Sequence, residues 1–164
     1  MSDLFASECS GESRHHRHPA HPPPVDINQR PTILHVNVCT KDRERSLDNA
    51  NAMAALKASW VKSTQWIVGY FMIMPDHIHL LVCPRPNGDL IGFVRRVKSK
   101  STRTYWTLGG TAKLWQRGFY DHVLRQSEDV NDVAAYILEN PVRAGLVSDF
   151  TRYPFSGPPE LLQS

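Results

Sequence analysis

Two apolar runs split by a Pro-Asp pair constrain this chain more than any other feature. Residues 66–74 read WIVGYFMIM and residues 77–83 read HIHLLVC, with Pro75 and Asp76 between them. Each run has the length of a strand, and Pro-Asp is a turn signal, so the segment is predicted to form an antiparallel hairpin. Strand side chains alternate between faces. Ile78, Leu80 and Val82 therefore point into the core, while His77 and His79 share the opposite face.

The rest of the chain supplies the partners of that hairpin. Residues 32–40 alternate, with Ile33, His35, Asn37 and Cys39 facing one way and Leu34, Val36 and Val38 the other, which predicts a further strand. Residues 41–45 form a charged loop. Leu47, Ala50, Met53, Ala54, Leu56 and Trp60 recur at near-helical spacing across 46–62, which predicts an amphipathic helix. PRPNG at 84–88 breaks the chain, and a second helix is predicted over 89–106, with Leu90, Phe93, Val94 and Val97 on its apolar side. LGGT at 108–111 is a loop. Residues 114–124 are predicted extended, with Gly118 marking a bulge or a close backbone approach. A third helix is predicted over 127–140, opened by Ser127 with Glu128 and Asp129 and ended by Pro141. Residues 148–164 are Pro-rich and predicted mostly irregular. Strand, helix, strand, strand, helix, strand, helix is the order of an α+β protein: a ferredoxin-like antiparallel sheet (βαββαβ) with an additional C-terminal helix, the one that carries Tyr136.

Size and composition bound the reading. At 164 residues and 18.6 kDa the chain is one domain with tails. Residues 1–30 are predicted to be a flexible Pro/His-rich arm, 31–157 the domain, and 158–164 a C-terminal tail. The arm holds His15, His16, His18 and His21 among Pro19, Pro22, Pro23 and Pro24 and has no apolar period. It reads as a polar arm; a metal-binding tract or a polyproline segment docked on the domain are the other readings. No run of about 18 apolar residues exists, so no membrane helix is expected. The first residues lack the apolar stretch of a secretory signal. The three cysteines are widely spaced and form no CxxC pair, so neither a disulfide framework nor a thiolate zinc site is expected, and the reading is a reducing cytosol.

A second pair of residues joins the histidines. Tyr136 and Asn140 are four apart on the third helix and share a face if the helix persists. Taken singly, each feature has an ordinary reading. The histidines fit as partly buried side chains with hydrogen-bond partners, Tyr136 as a packed ring with its hydroxyl in solvent, and Asn140 as a helix-terminal residue before proline. Together they offer two imidazole ligands, an amide oxygen and a nucleophile. Neutral ligands leave a divalent ion its full Lewis acidity toward a phosphodiester oxygen. A phenol, whose reference pKa is near 10, needs such help or a base to attack phosphorus. Attack would give a covalent phosphotyrosine that conserves the bond energy for later rejoining.

Four ordered segments carry a family resemblance. MPDHIHLLV at 74–82, LWQRGFYDHVLR at 114–125, AAYILENPVRAGLV at 134–147 and YPFSG at 153–157 together resemble the REP-associated tyrosine transposases, relatives of the single-tyrosine HUH transposases of insertion sequences. The resemblance spans residues 31–157. It implies that His77 and His79 bind a divalent metal, Mg²⁺ or Mn²⁺, completed by Asn140. It implies that Tyr136 is the nucleophile of an HUH single-strand endonuclease, bonding to the 5′ phosphate and freeing a 3′ hydroxyl. The implied partner is single-stranded DNA bearing a palindromic-repeat hairpin, handled by a monomer or a homodimer, with no membrane association, in the cytoplasm at the bacterial nucleoid. Two other readings stay open: a transposase-derived binder of hairpin DNA or RNA without turnover, and a small metal hydrolase using water as nucleophile.

Charge distribution adds a candidate nucleic-acid surface. The chain's net charge is only +3, yet residues 91–125 hold Arg95, Arg96, Lys98, Lys100, Arg103, Lys113, Arg117 and Arg125 against Asp121 alone. These cations other than Lys113, with Arg143 beyond them, are the predicted DNA contacts, in a band expected beside the histidines. An ordinary solvated helix face is the plain alternative. Trp106, Trp115, Phe119 and Tyr120 could stack on unpaired bases, though Trp115 and Phe119 are expected to be at least partly buried. Asp121 and His122 could help the site, but the alternation leaves their direction open.

Overall fold

The computed structural model describes residues 32–157 apart from residues 112 and 126. The N-terminal arm at 1–30 and the tail at 158–164 lie outside the described residues. The elements run β1 (Leu34–Cys39), α1 (Ala50–Trp60), β2 (Trp66–Met74), β3 (His77–Pro84), α2 (Leu90–Thr107), β4 (Tyr120–Val123), α3 (Val130–Leu138), α4 (Asn140–Arg143) and β5 (Ser156–Gly157). All strand pairs are antiparallel, and the sheet order is β4-β1-β3-β2-β5. The first four strands and first two helices form the expected ferredoxin-like unit.

The two faces of the sheet are covered differently. Leu34, Val36 and Val38 of β1, Phe71 and Ile73 of β2, and Ile78, Leu80 and Val82 of β3 pack under α1 and α2, where they meet Leu56, Phe93, Val94 and Val97. On the other face Met72, Met74 and Leu81 pack against Val133, Ala134 and Ile137 of α3 and against Tyr153. The register places Met72 opposite His79, Met74 opposite His77 and Asn37 opposite His79. The histidines therefore stand on the sheet face that α3 partly covers.

Several boundaries differ from the sequence expectation for local reasons. Helix α1 starts at Ala50, not near residue 46, because the backbone N–H groups of Ser46 and Leu47 both donate to Pro75 O (2.9 Å each). Asn49 then caps the helix, its side chain accepting from Ala52 N at 2.9 Å. At α3 the cap is Asp129, which accepts from Asn131 N, rather than Ser127. The predicted long strand at 114–124 is two pieces. Trp115 pairs with Thr40 in an isolated bridge, Gly118 turns the chain at φ +77°, and β4 begins only at Tyr120. Helix α3 closes at Leu138, and Asn140 opens α4 instead of ending a longer helix; Pro141 sits in its first turn, where a missing N–H costs nothing. The segment after residue 148, predicted irregular, holds a 3-10 turn at Phe150–Arg152 and β5, which extends the sheet beside Phe71 and Met72.

Candidate active site

His77 and His79 converge. Their Nε2 atoms lie 3.0 Å apart, with the rings nearly perpendicular. A divalent ion about 2.1 Å from each nitrogen would subtend close to a right angle at that separation, as neighbouring ligands of an octahedral shell do. Metal binding also requires a lone pair on each Nε2, and hence each ring proton on Nδ1. Both Nδ1 atoms have a partner for that proton: Asp76 Oδ1 at 2.7 Å for His77, and His35 Nε2 at 2.9 Å for His79. Burial, then the neighbouring His77, His35, Arg143 and Arg43, hold the His79 pKa well below that of a free imidazole. Burial, then His122 and His77, bring His35 down to about 4. Both rings are thus neutral near pH 7, as ligand and support should be. Among the described residues no three His, Cys, Asp or Glu side chains are grouped to hold a metal. A metal on this pair would need a ligand of another kind, which is the part predicted for Asn140.

Asp76 ties this centre to the loop before α1. Its carboxylate accepts from His77 through Oδ1 and from Arg43 Nε through Oδ2 at 2.8 Å. Burial alone would raise its pKa. The hydrogen bond from His77, the electrostatic pull of its ring and the Arg43 guanidinium outweigh that and hold it below the usual carboxylate value.

The helix pair beyond β4 presents the other predicted residues. Tyr136 is half-buried on α3, beside Ile137, which packs into the sheet. The Arg143 guanidinium stacks over its ring at 4.0 Å. Arg143 Nη2 also donates to Tyr136 O at 2.7 Å and to Asn140 Oδ1 at 2.8 Å, and Asn140 Nδ2 donates to Ile137 O at 3.0 Å. The structure thus joins Tyr136, Asn140 and Arg143 in one cluster on the helices covering the histidine face. One lone pair of the Asn140 oxygen is taken by Arg143.

His35, assigned no chemistry from the sequence, and His122, whose direction the alternation leaves open, complete the face. His35 lies opposite His122 in the β1–β4 pair, and Asp121 lies opposite Val36, which puts His122 on the site face and Asp121 on the other. His122 Nε2 sits 3.1 Å from both Glu128 oxygens, tying β4 to the start of α3. The alternation of residues 32–40 places His35 and Asn37 on one face; what it lacks is the pairing partner that makes this the histidine face.

The basic band requires a correction of position. Helix α2 packs on the sheet face opposite the histidines, so Arg95, Arg96, Lys98, Lys100 and Arg103 lie across the sheet from the candidate centre, not beside it. Lys98 donates to Gln116 O at 2.9 Å and to Gly118 O, and burial lowers its pKa to about 8. Its ammonium is a loop clamp. Arg96 donates to Gln65 Oε1 at 3.0 Å and remains exposed with Arg95, Lys100 and Arg103. Arg117 and Arg125 are exposed on either side of β4, and Gln116 N bonds to Cys39 O, which brings that loop to the end of β1 nearest His77. Trp115 is buried, its Nε1 donating to Ser101 Oγ at 3.0 Å, and Phe119 is half-buried as expected; Trp106 is 53% exposed and offers the ring surface that stacking needs.

Residues 29–140 match the family model described as transposase IS200 like. The chain is 28% identical over 90 residues to a REP-associated tyrosine transposase of Escherichia coli (strain K12), covering 54% of this chain and 52% of that protein. It is 31% identical over 99 residues to a Haemophilus influenzae protein that carries a provisional form of the same description, covering 51% of this chain and 54% of that one. The matches thus span about half the length of these curated relatives. A solved REP-associated tyrosine transposase bound to a REP hairpin shares the fold at a TM-score of 0.62 and 19% identity, over 80% of this chain and 81% of that chain. No helix among the described residues is long and apolar enough to cross a membrane.

Proposed function

Because the chain belongs to the IS200-like transposase family, we propose that it cleaves and rejoins single-stranded DNA beside palindromic-repeat hairpins, through a covalent 5′-phosphotyrosine on Tyr136 and with a divalent metal. The observation that carries the proposal is the His77–His79 convergence at 3.0 Å, with both Nδ1 atoms engaged, on the sheet face that the Tyr136 helix covers.

In this reading His77 Nε2, His79 Nε2 and Asn140 Oδ1 would hold Mg²⁺ or Mn²⁺. When bound, the ion polarises a phosphodiester oxygen and offsets its charge. Tyr136 Oη forms a bond to phosphorus, and the bond from phosphorus to the 3′ oxygen breaks. The phenol proton is lost to solvent, and the departing oxygen takes a proton to become a 3′ hydroxyl. Attack by a 3′ hydroxyl on the phosphotyrosine reverses the step, restores the phenol and joins the strand without ATP. Arg143, stacked on the ring and bonded to Asn140, orients nucleophile and ligand together and lends positive charge near the phosphate. Arg117 and Arg125 serve the DNA backbone at the β4 edge. Arg95, Arg96, Lys100 and Arg103 serve hairpin backbone on the far face of the sheet. Lys98 acts on the protein's own loop.

The engaged Asn140 oxygen favours a second reading, a hairpin-DNA or RNA binder without turnover. The two part on one experiment. Purified protein is incubated with Mn²⁺ and single-stranded oligonucleotides bearing candidate hairpins, then run on a denaturing gel. The strand-transfer reading predicts a shifted protein–DNA band that chelator and Tyr136→Phe both abolish. Tight binding with no such band for any hairpin, and indifference to both changes, favours the binder. Turnover that survives Tyr136→Phe indicates a water nucleophile.

A further inference from the structure

We infer that Arg43 is a positioning residue for His77, acting through Asp76. The inference rests on the proposal that His77 is a metal ligand. It starts from the backbone: Asp42 and Arg43 are consecutive non-glycine residues in the left-handed region, at φ +54° and +57°. L-residues with a Cβ rarely take that conformation, and two in succession persist only where the surroundings hold them. Here they bring the Arg43 side chain back over the sheet end, where Nε meets Asp76 Oδ2 at 2.8 Å and Nη1 meets Cys39 Sγ at 3.0 Å. Two contacts on different nitrogens set the plane of the guanidinium as a lysine ammonium cannot. With Oδ2 held by Arg43, Oδ1 is turned to His77 Nδ1 at 2.7 Å, a contact that fixes the plane of the ring and leaves its Nε2 3.0 Å from His79 Nε2.

A plain turn lock is the competing explanation, and the surrounding hydrogen bonds weigh against it. Thr40 N and Oγ1 both donate to Asp76 O (2.8 and 2.9 Å), and Ser46 N and Leu47 N both donate to Pro75 O. The Pro75-Asp76 turn is therefore held by backbone contacts that need no guanidinium. What Arg43 adds falls on the Asp76 side chain, and through it on the ring of His77.

The test uses the full chain and the variants Arg43→Met and Arg43→Lys, with Mn²⁺ as probe. Mn²⁺ affinity is read from the electron paramagnetic resonance of the free ion, and the His77 Nδ1–Asp76 hydrogen bond from ring ¹⁵N–¹H correlations without metal. Arg43→Met is expected to weaken Mn²⁺ binding by about tenfold or more and to weaken the His77 Nδ1–H signal as that proton loses its fixed acceptor and exchanges with solvent. Arg43→Lys is expected to recover part of both. Wild-type affinity together with an unchanged His77 ring in both variants overturns the inference, whatever happens to the melting temperature. If Arg43→Met does not fold, Arg43→Lys is judged by the same two readouts. Failure of the wild type to bind Mn²⁺ counts against the proposed metal site, and the ring spectra then decide the role of Arg43 alone.

Discussion

His35 and His79, adjacent on the central strands, form one stacked pair: their ring centroids lie 5.1 Å apart, and His35 Nε2 is 2.9 Å from His79 Nδ1. The pair is buried, so nothing else can readily replace the acceptor that His35 supplies. His35→Leu is expected to leave the His79 N–H unsatisfied and to destabilise the fold by about 1–3 kcal/mol in urea unfolding. Mn²⁺ affinity should fall by about tenfold or more in the same variant. Undiminished affinity in a folded His35→Leu protein would show that the support is not needed.

Tyr153 anchors the C-terminal segment by donating its hydroxyl to Ile73 O at 2.8 Å. Burial, then the Asp48 carboxylate, raises its pKa to about 12, from an ordinary 10.0. The raised value belongs to an acid, so its contribution to stability is full below pH 10. As pH rises from 10 toward 12 the unfolded chain sheds the phenol proton and the folded chain keeps it, and the contribution is lost. Tyr153→Phe is expected to cost about 1 kcal/mol at pH 8, with the difference from wild type shrinking at pH 11. Urea unfolding of both proteins at the two pH values measures it; a constant difference would contradict the burial argument.

The two kinds of cation on α2 should behave differently toward DNA. Replacing exposed Arg95 or Lys100 by Gln is expected to lower the slope of log binding constant against log salt by about 0.7–0.9 for each phosphate no longer neutralised. Lys98→Met is expected to leave that slope unchanged and to lower the melting temperature, because its ammonium binds the carbonyls of Gln116 and Gly118. Fluorescence anisotropy across a salt series, beside thermal melts, separates the two outcomes. An unchanged slope for both exposed variants would remove the far face from the DNA path.

The hairpin of β2 and β3 is legible in the sequence because its signals are local. Nine apolar-rich residues, a Pro-Asp turn and a period of two suffice to place His77 and His79 on one face. The position of α2 is harder to read. Its periodicity identifies an apolar stripe but says nothing about which sheet face receives it, and the basic band is therefore expected on the wrong side. The element order holds the missing clue: right-handed crossovers put both βαβ helices on one face, and Ile78, Leu80 and Val82 claim that face for the core. Pairings set by how loops and helix ends fold leave no sequence trace. Arg43 with Asp76, His122 with Glu128 and Arg143 with Tyr136 each depend on loop and helix-end geometry that no spacing rule reports.

The most direct test of the account is the chemical identity of the bond between protein and DNA. Wild-type protein is reacted with Mn²⁺ and a hairpin-bearing single strand, digested with protease and nuclease, and analysed by tandem mass spectrometry. The account predicts one modified peptide, with a 5′-nucleotidyl phosphate on the oxygen of Tyr136, absent when the protein carries Tyr136→Phe. Cleaved DNA with no modified peptide, or the modification on another residue, would contradict it.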